Sequence, residues 1–215
     1  MTGKNIKYVL FDAANTLIHK PDLWSRILGV LSRHEHAVSP DKLQLHHKLL
    51  SEYMEFPDRT SKEFYLDFNT ELLLSLGIIP SDGLSAEIFD ACTYLEWAKF
   101  DDTTHLNDLQ VPIGVLSNFN NSLPGLLKKL FGPVFSHIMV SEALNARKPN
   151  ADFYRLACDQ VGLPAENILY IGDSLKLDIL PARNQGFSTL LIDRPGIFIR
   201  SNLSIPSLSA ISDHL

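Results

Sequence analysis

The sequence has little cysteine, an excess of acidic over basic residues, and no long apolar run. Its two cysteines, Cys92 and Cys158, are too far apart to match a disulfide framework or a zinc site, so we expect buried free thiols. The net charge of −6 argues against a general nucleic-acid binder, because phosphate backbones require a basic surface. No apolar run approaches the roughly 18 residues that span a bilayer. The N-terminus also shows no signal-peptide pattern, so we expect a cytoplasmic protein without a membrane span.

Apolar strand patterns alternate with helical patterns along much of the chain. Strands are predicted at residues 6–11, 111–116, 138–140, 168–172 and 188–192. Helices are predicted between the later strands, at residues 123–130, 151–161 and 175–184. Short apolar strands separated by helices are typical of βαβ units. The sequence therefore predicts an α/β fold with a doubly wound parallel sheet.

The segment between the first two predicted strands has a different pattern. Apolar residues recur there at helical spacing, and breaks near Pro40, Pro57 and Pro80 separate about four helices. We therefore predict that residues 1–17 and 101–215 form the α/β core, and that residues 18–100 form an inserted helical cap. Four clustered histidines of this segment are predicted to be solvated rather than metal ligands, and several of its aromatic residues are predicted to pack in a core. These residues include His34, His36, His46, His47, Trp24 and Phe64.

Polar residues stand at the ends of the predicted strands or just before a predicted helix. In open α/β sheets, ligands bind outside the carboxyl ends of the strands, so these residues are candidates for one site. They are Asp12 and Thr16 after the first strand, Ser117 and Asn118 after the second, Lys148 before a helix, and Asp173 and Asp178 after the fourth.

The residue types at these positions suit phosphoryl transfer. Asp12 can attack phosphorus and form an aspartyl phosphate. Asp173 beside Asp12 gives two carboxylates that repel each other unless a divalent cation lies between them, and Mg²⁺ prefers such oxygen ligands. Asp178 is a candidate to orient Lys148 or metal-bound water.

Three further groups are candidates to hold the phosphate. The hydroxyl of Ser117 and the backbone N–H of Asn118 can donate to phosphate oxygens. Lys148 can neutralise charge on the nucleophile and on the transferring group, which makes it a catalytic candidate as well.

Four segments carry these residues and together resemble a known family. FDAANTL contains Asp12, VLSN contains Ser117, RKPNADFY contains Lys148, and IGDSLKLD contains Asp173 and Asp178. In this order they resemble the four motifs of the haloacid dehalogenase (HAD) superfamily of hydrolases. The resemblance implies a Rossmann-like core, Mg²⁺ as cofactor, and a small phosphorylated molecule as substrate.

The resemblance also implies a metal site and exposes one departure. The metal would be held by Asp12, by the backbone carbonyl of Ala14 and by Asp173, with Thr16 and Asp178 in support. In the family the position of Ala14 is usually a second aspartate that serves as general acid and base. Such a group contributes about 10²–10⁴-fold in rate.

Four interpretations account for Ala14. In the first, the chain is a phosphohydrolase whose acid is missing or supplied elsewhere, and in the second it is a phosphonatase-like hydrolase that uses a lysine of the cap. In the third it is a dehalogenase, because a halide leaves without a proton. In the fourth it is a catalytically idle relative that binds phosphate or metal. The lysines available for the second interpretation are Lys20, Lys42, Lys48, Lys62 and Lys99.

Overall fold

The computed structural model describes residues 5–199 and 201–215, which divide into two compact units. The first unit contains the described residues up to His19 and from Lys99 onward, and the second unit is Lys20–Ala98. The inserted segment predicted at residues 18–100 is therefore two residues wider at each end than the second unit. That this unit acts as a cap is a proposal.

Eight strands occur within the described residues. They are β1 (Tyr8–Phe11), β2 (Ile18–His19), β3 (Ala98–Lys99), β4 (Ile113–Ser117), β5 (His137–Val140), β6 (Ile168–Gly172), β7 (Ser188–Ile192) and β8 (Ser204–Ile205). Six of them form one sheet in the order β5-β4-β1-β6-β7-β8, with every pairing parallel. The α/β fold with a parallel sheet is thereby confirmed, with β8 as an additional strand. β2 and β3 pair separately.

The helices match the predicted segments closely. They are α1 (Leu23–Arg33), α2 (Pro40–Tyr53), α3 (Lys62–Leu76), α4 (Asp82–Ala91), α5 (Leu123–Phe131), α6 (Ser141–Leu144), α7 (Ala151–Val161) and α8 (Leu180–Asn184). A single π-helical turn, Leu175–Ile179, precedes α8, and short 3-10 segments occur at Asp101–Asp108, Ala165–Asn167 and Leu208–His214.

The position of β1 in the sheet determines where Asp12 lies. All four residues of β1 are buried, as expected for a strand flanked by β4 and β6. The N–H of Asp12 donates to the carbonyl oxygen of Ile171 at 2.8 Å, so the pairing with β6 continues one residue beyond the strand. The backbone of Asp12 is therefore fixed at the carboxyl edge of the sheet.

Apolar side chains from β1 and β6 pack against α7 in the core of the first unit. Tyr8, Leu10 and Tyr170 belong to the same buried cluster as Phe153 and Tyr154 of α7. Both ends of α7 are capped. The side chain of Asn150 accepts a hydrogen bond from the N–H of Asp152, and Gly162 ends the helix in the left-handed region. This packing holds α7, and the segment preceding it, against the sheet.

The second unit contains α1–α4 around its own apolar core. Serine side chains accept a backbone N–H at the start of α2, α3 and α4, through Ser39, Ser61 and Ser81. The buried residues include Leu31, Leu43, Phe68 and Leu72, with Trp24 and Phe64 packed against them.

Among the described residues, no helix is both long enough and apolar enough to cross a membrane. Cys92 and Cys158 are free, and both are half-buried rather than fully buried as predicted. Cys92 follows the last residue of α4, and Cys158 packs against the core of the first unit without being fully covered by it.

Candidate active site

Asp12 receives two hydrogen bonds on a single carboxylate oxygen. The hydroxyl of Ser117, the last residue of β4, donates to Oδ1 at 2.9 Å. The ammonium of Lys148 donates to the same Oδ1 at 2.6 Å. The Asp12 residue is only 6% exposed, so both contacts are shielded from water. The structure thus brings together three of the predicted site residues, which lie on neighbouring strand ends and on the loop before α7.

Lys148 is held by both its side chain and its backbone. Its Nζ also donates to Asp178 Oδ1 at 2.6 Å and to the hydroxyl of Tyr170 at 3.1 Å. Its backbone N–H donates to Asn118 Oδ1 at 2.8 Å, and the Asn118 amide donates back to the Lys148 carbonyl at 3.0 Å. The side chain of Asn118 therefore positions Lys148, which leaves the Asn118 backbone N–H as the predicted phosphate donor.

The two neighbouring carboxylates keep Lys148 charged. Burial alone would lower the pKa of Lys148, but Asp12 and Asp178 outweigh it and hold that pKa above its usual value. An ammonium that is permanently charged and only 4% exposed is a fixed positive charge beside the Asp12 carboxylate.

Asp178 fits into a space that only glycine leaves open. It is 1% exposed, and its Oδ2 accepts the N–H of Ser174 at 2.9 Å. A Cβ on Gly172 would lie 2.3 Å from Asp178 Cγ, which no real side chain tolerates. Gly172 at the end of β6 thus allows Asp178 to approach Lys148.

Three carboxylates converge on one point at this edge of the sheet. Asp12, Asp173 and Asp178 each offer one oxygen, and these oxygens lie within 4.8 Å of one another. Both oxygens of Asp178 already accept hydrogen bonds, from Lys148 and Tyr170 on Oδ1 and from Ser174 on Oδ2. The Asp178 carboxylate is therefore held in place by three protein donors.

Burial and the neighbouring carboxylates affect the pKa of Asp12. Burial raises the pKa of Asp12 to about 6; Lys148 opposes the rise, whereas Asp178 and Asp173 add to it. A divalent cation at the cluster would reverse that rise, because an adjacent positive charge favours the ionised carboxylate.

The loop after Asp12 contains Ala14 and Thr16. Ala14 is half-buried, and its methyl side chain offers no acid. Asn15 has φ of +60°, a left-handed conformation that Asn tolerates better than most residues. Thr16 is fully buried, and within the described part of the chain its Oγ1 has no hydrogen-bond partner. Thr16 lies in the loop as predicted, and its hydroxyl forms no hydrogen bond with Asp12.

Three residues near the site escape sequence reasoning. Tyr170 lies in an apolar strand and resembles core, yet its hydroxyl contacts Lys148 and Asp178. Arg194 and Asp102 form a bidentate ion pair, with Nε and Nη2 of Arg194 donating to the Asp102 carboxylate at 2.9 and 2.8 Å. A buried tyrosine usually has a partner for its hydroxyl, which is the one signal that could have marked Tyr170.

The second unit contains most of the lysines considered for phosphonatase chemistry. Lys20 lies over the ring of Trp97 at 5.2 Å, and burial lowers its pKa. Lys62 lies over Phe89, and Lys48 pairs with Glu52 at 3.0 Å.

His47 corrects the expectation that the histidines are solvated. Its ring packs edge-on against Trp24 and Phe68, and burial lowers its pKa to about 4. The residue is half-buried, and its contact with Phe68 places its ring against α3. His34 is exposed as predicted and pairs with Glu87.

With this geometry established, the chain can be compared with known proteins. It matches the family described as haloacid dehalogenase-like hydrolase over residues 6–186, and it belongs to that family. The first curated relatives are matched only in part, over 45% and 26% of their own lengths.

Two relatives and one solved structure illustrate the range of the family. Glyceraldehyde 3-phosphate phosphatase from Methanocaldococcus jannaschii is 35% identical over 60 residues, which are 28% of this chain and 26% of that protein. The (S)-2-haloacid dehalogenase from Pseudomonas fluorescens is 28% identical over 204 residues, covering 89% and 86%. The magnesium-bound HAD hydrolase YfnB from Bacillus subtilis superposes with a TM-score of 0.67 at 20% identity, covering 98% of each chain. This last likeness shows the fold. The chain thus belongs to the HAD family, and both phosphatases and dehalogenases are among its relatives.

Proposed function

We propose that this chain is a Mg²⁺-dependent phosphohydrolase that acts on a small organic phosphate through an aspartyl phosphate on Asp12. One observation carries the proposal: the buried Asp12 carboxylate accepts hydrogen bonds from Ser117 and Lys148 and lies within a carboxylate cluster that includes Asp173. An ammonium 2.6 Å from the nucleophile suits attack on an anionic phosphate, because it offsets the charge that accumulates there.

The donor set of the site fits Mg²⁺. Three carboxylates converge within 4.8 Å, and Lys148 forms ion pairs with two of them, Asp12 and Asp178. Hard oxygen ligands of this kind suit Mg²⁺. Asp12, the Ala14 carbonyl and Asp173 would hold the ion, with Asp178 in support. When bound, Mg²⁺ supplies charge neutralisation for the phosphate oxygens.

The chemistry then follows in two displacements. In the first, a carboxylate oxygen of Asp12 attacks phosphorus, the bond from phosphorus to the leaving oxygen breaks, and its electron pair stays on that oxygen. Ser117 Oγ and the Asn118 N–H bind the phosphate oxygens, and Lys148 offsets their charge. In the second, water attacks phosphorus and loses a proton to the solvent, the bond from phosphorus to Asp12 breaks with its electron pair staying on the carboxylate, and inorganic phosphate is released.

Ala14 determines which leaving groups the site accepts. With no acid at this position, the leaving oxygen departs as an anion or takes its proton from solvent or substrate. The first displacement is then fast only for leaving groups of low pKa. We therefore propose activated esters or acyl phosphates, rather than simple alkyl phosphates, as the preferred class of substrate.

Hydrolysis of a series of aryl phosphates tests this proposal. We expect turnover that requires Mg²⁺, disappears in Asp12→Asn, and rises steeply as the pKa of the phenol falls. Lys129→Met, which removes an exposed lysine of α5, serves as the matched control and should leave the rates unchanged. Turnover that is independent of Mg²⁺ and survives in Asp12→Asn would contradict the proposal.

Dehalogenation is the second candidate, and two observations favour it. A halide leaves without a proton, so Ala14 is no handicap, and a dehalogenase relative aligns over 89% of this chain. Against it, the Asp173 carboxylate close to Asp12 repels a substrate that is itself a carboxylate. Chloride release from (S)-2-chloropropionate, measured with and without Mg²⁺, separates the two. Release that is independent of metal and increases in Asp173→Asn would favour the dehalogenase.

A further inference from the structure

Arg194, two residues beyond β7, binds the loop that follows Asp12. Its Nη1 donates to the carbonyl oxygen of Asn15 at 3.1 Å, and its Nη2 donates to the carbonyl oxygen of Thr16 at 2.9 Å. These carbonyls belong to the two residues directly after Ala14. All of these groups lie in the first unit.

The guanidinium itself is held in place on two sides. The Asp102 carboxylate accepts hydrogen bonds from Nε at 2.9 Å and from Nη2 at 2.8 Å. The guanidinium carbon also lies over the ring of Phe100, 3.8 Å from the ring centroid. Asp102 is fixed in turn, because its Oδ2 accepts the N–H of Leu208 at 3.0 Å. The pair is partly buried, with side-chain exposures of 18% for Arg194 and 16% for Asp102.

The loop is held by internal hydrogen bonds and also by the contacts of Arg194. The carbonyl oxygen of Ala13 accepts the N–H groups of Leu17 at 2.8 Å and Ile18 at 3.0 Å, which closes the turn on itself. These bonds set the conformation of the loop, whereas Arg194 and Asp102 tie it to the segment after the second unit and to the C-terminal 3-10 segment. Only a planar fork of donors can reach two carbonyls and a carboxylate at once; the ammonium of lysine is a point charge.

We propose that Arg194 is a positioning residue: together with Asp102 it fixes the loop so that the Ala14 carbonyl points at the cation site. The inference rests on the proposed function, in which that carbonyl is a Mg²⁺ ligand. A backbone ligand has no side chain whose rotamer could adapt, so its placement depends on the position of the loop. Outer groups that orient a metal ligand typically change metal affinity about 10- to 100-fold when removed.

Calorimetric titration of the purified chain with Mg²⁺ alone tests the role without requiring turnover. We expect Arg194→Gln to weaken Mg²⁺ binding by about 10- to 100-fold, and Arg194→Lys to restore only a small part of it. Arg155→Gln is the matched control, because it breaks an exposed ion pair with Asp152 on α7 and should not change the affinity. Asp102→Asn, which keeps Arg194 but loosens it, should weaken binding by a smaller factor and serves if Arg194→Gln does not fold.

Thermal unfolding distinguishes positioning from a merely structural role. If Arg194 only stabilised the fold, Arg194→Gln and Asp102→Asn would lower Tm and leave the Mg²⁺ affinity of the folded protein unchanged, which would overturn the inference. With an activated aryl phosphate at saturating Mg²⁺, the variants should recover much of their kcat while KM for the ester stays near that of the native chain.

The same data separate this inference from the proposed function. If the native chain binds Mg²⁺ and hydrolyses the ester, but the Arg194 variants bind Mg²⁺ equally well, the inference is wrong and the function stands. If Mg²⁺ binds and depends on Arg194 but no ester is hydrolysed, the inference stands and the function is wrong. If the native chain does not bind Mg²⁺, both are wrong.

Discussion

Replacing Lys148 by methionine should destabilise the first unit strongly, independently of any catalytic activity. Methionine preserves much of the volume of the side chain and removes only its charge and donors. The native ammonium forms two ion pairs of 2.6 Å, with Asp12 and Asp178, and the three side chains are 3%, 8% and 1% exposed. Without it, two buried carboxylates lose their partner.

The size of the effect follows from this burial. Removing one partner of a buried ion pair costs about 3–5 kcal/mol, because the remaining charge stays away from water. Against a total stability of about 5–15 kcal/mol, this is a large fraction. With a urea dependence of about 2 kcal/mol per molar, the midpoint of unfolding should fall by about 2 M.

The two units can be followed separately in the same experiment. Both tryptophans, Trp24 and Trp97, lie in the second unit, so their fluorescence reports on that unit. Far-UV circular dichroism also includes the parallel sheet. We expect the dichroism transition to move to lower urea by more than the fluorescence transition does.

Two variants complete the design. Lys129→Met removes an exposed lysine and should change the midpoint little. Adding Asp178→Asn to Lys148→Met should recover part of the stability, because one of the two unpaired charges disappears. A loss of less than about 1 kcal/mol, equal to that of Lys129→Met, would refute the view that Lys148 compensates buried charge.

Three further predictions concern the site and the second unit. Because Ala14→Asp restores a general acid, it should raise the Mg²⁺-dependent turnover of an alkyl ester such as β-glycerophosphate by about 10²-fold or more. It should raise the turnover of an activated aryl ester by less. Equal gains in steady-state kcat for the two esters would contradict this. Gly172→Ala should displace Asp178 and destabilise the chain by about 1–3 kcal/mol in urea, whereas Gly125→Ala in α5, whose added Cβ meets nothing within 4 Å, should be neutral or stabilising. The lowered pKa of His47 means that the residue takes up a proton on unfolding between pH 6.5 and about 4, so the free energy of unfolding should fall by at most about 3 kcal/mol as the pH is lowered through that window. Urea unfolding followed by tryptophan fluorescence should depend less on pH in His47→Gln. An unchanged pH dependence would count against the burial of His47.

The parts of the fold that could be predicted are those with a local signature. β1 and β6 are short apolar runs, each followed by a carboxylate. A single aspartate after a strand is most often a turn or helix cap, so Asp12 and Asp173 are marked only together with Ser117 and Lys148, in their order along the chain. The second unit was visible as a helical pattern between two strands. β8 contains two residues, Ser204–Ile205, which is too short for any periodicity to appear.

The contacts that support the site could not be predicted for a different reason. Arg194 is separated from Asp102 by 92 positions and from Thr16 by 178 positions, so no local pattern connects them. Arg194 and Asp102 are each charged, and a single charged residue is typical of an exposed loop. Their relation depends on the register of the whole sheet, which follows from long-range packing. Tyr170 was hidden in another way, since its ring belongs to the core and only its hydroxyl belongs to the site.

The central place of β1 in the sheet also has a consequence for how the chain is made. β1 is synthesised first, but its neighbours β4 and β6 are not complete until Ser117 and Gly172 have been added. At about 5–20 residues per second, the apolar strand that ends at Asp12 waits on the order of ten seconds for its second partner. During that interval the helices of the second unit are already available to fold. A chain that stops between Ser117 and Gly172 therefore contains β4 as one neighbour for β1, but it lacks β6 on the other side and lacks Asp173 and Asp178 of the site.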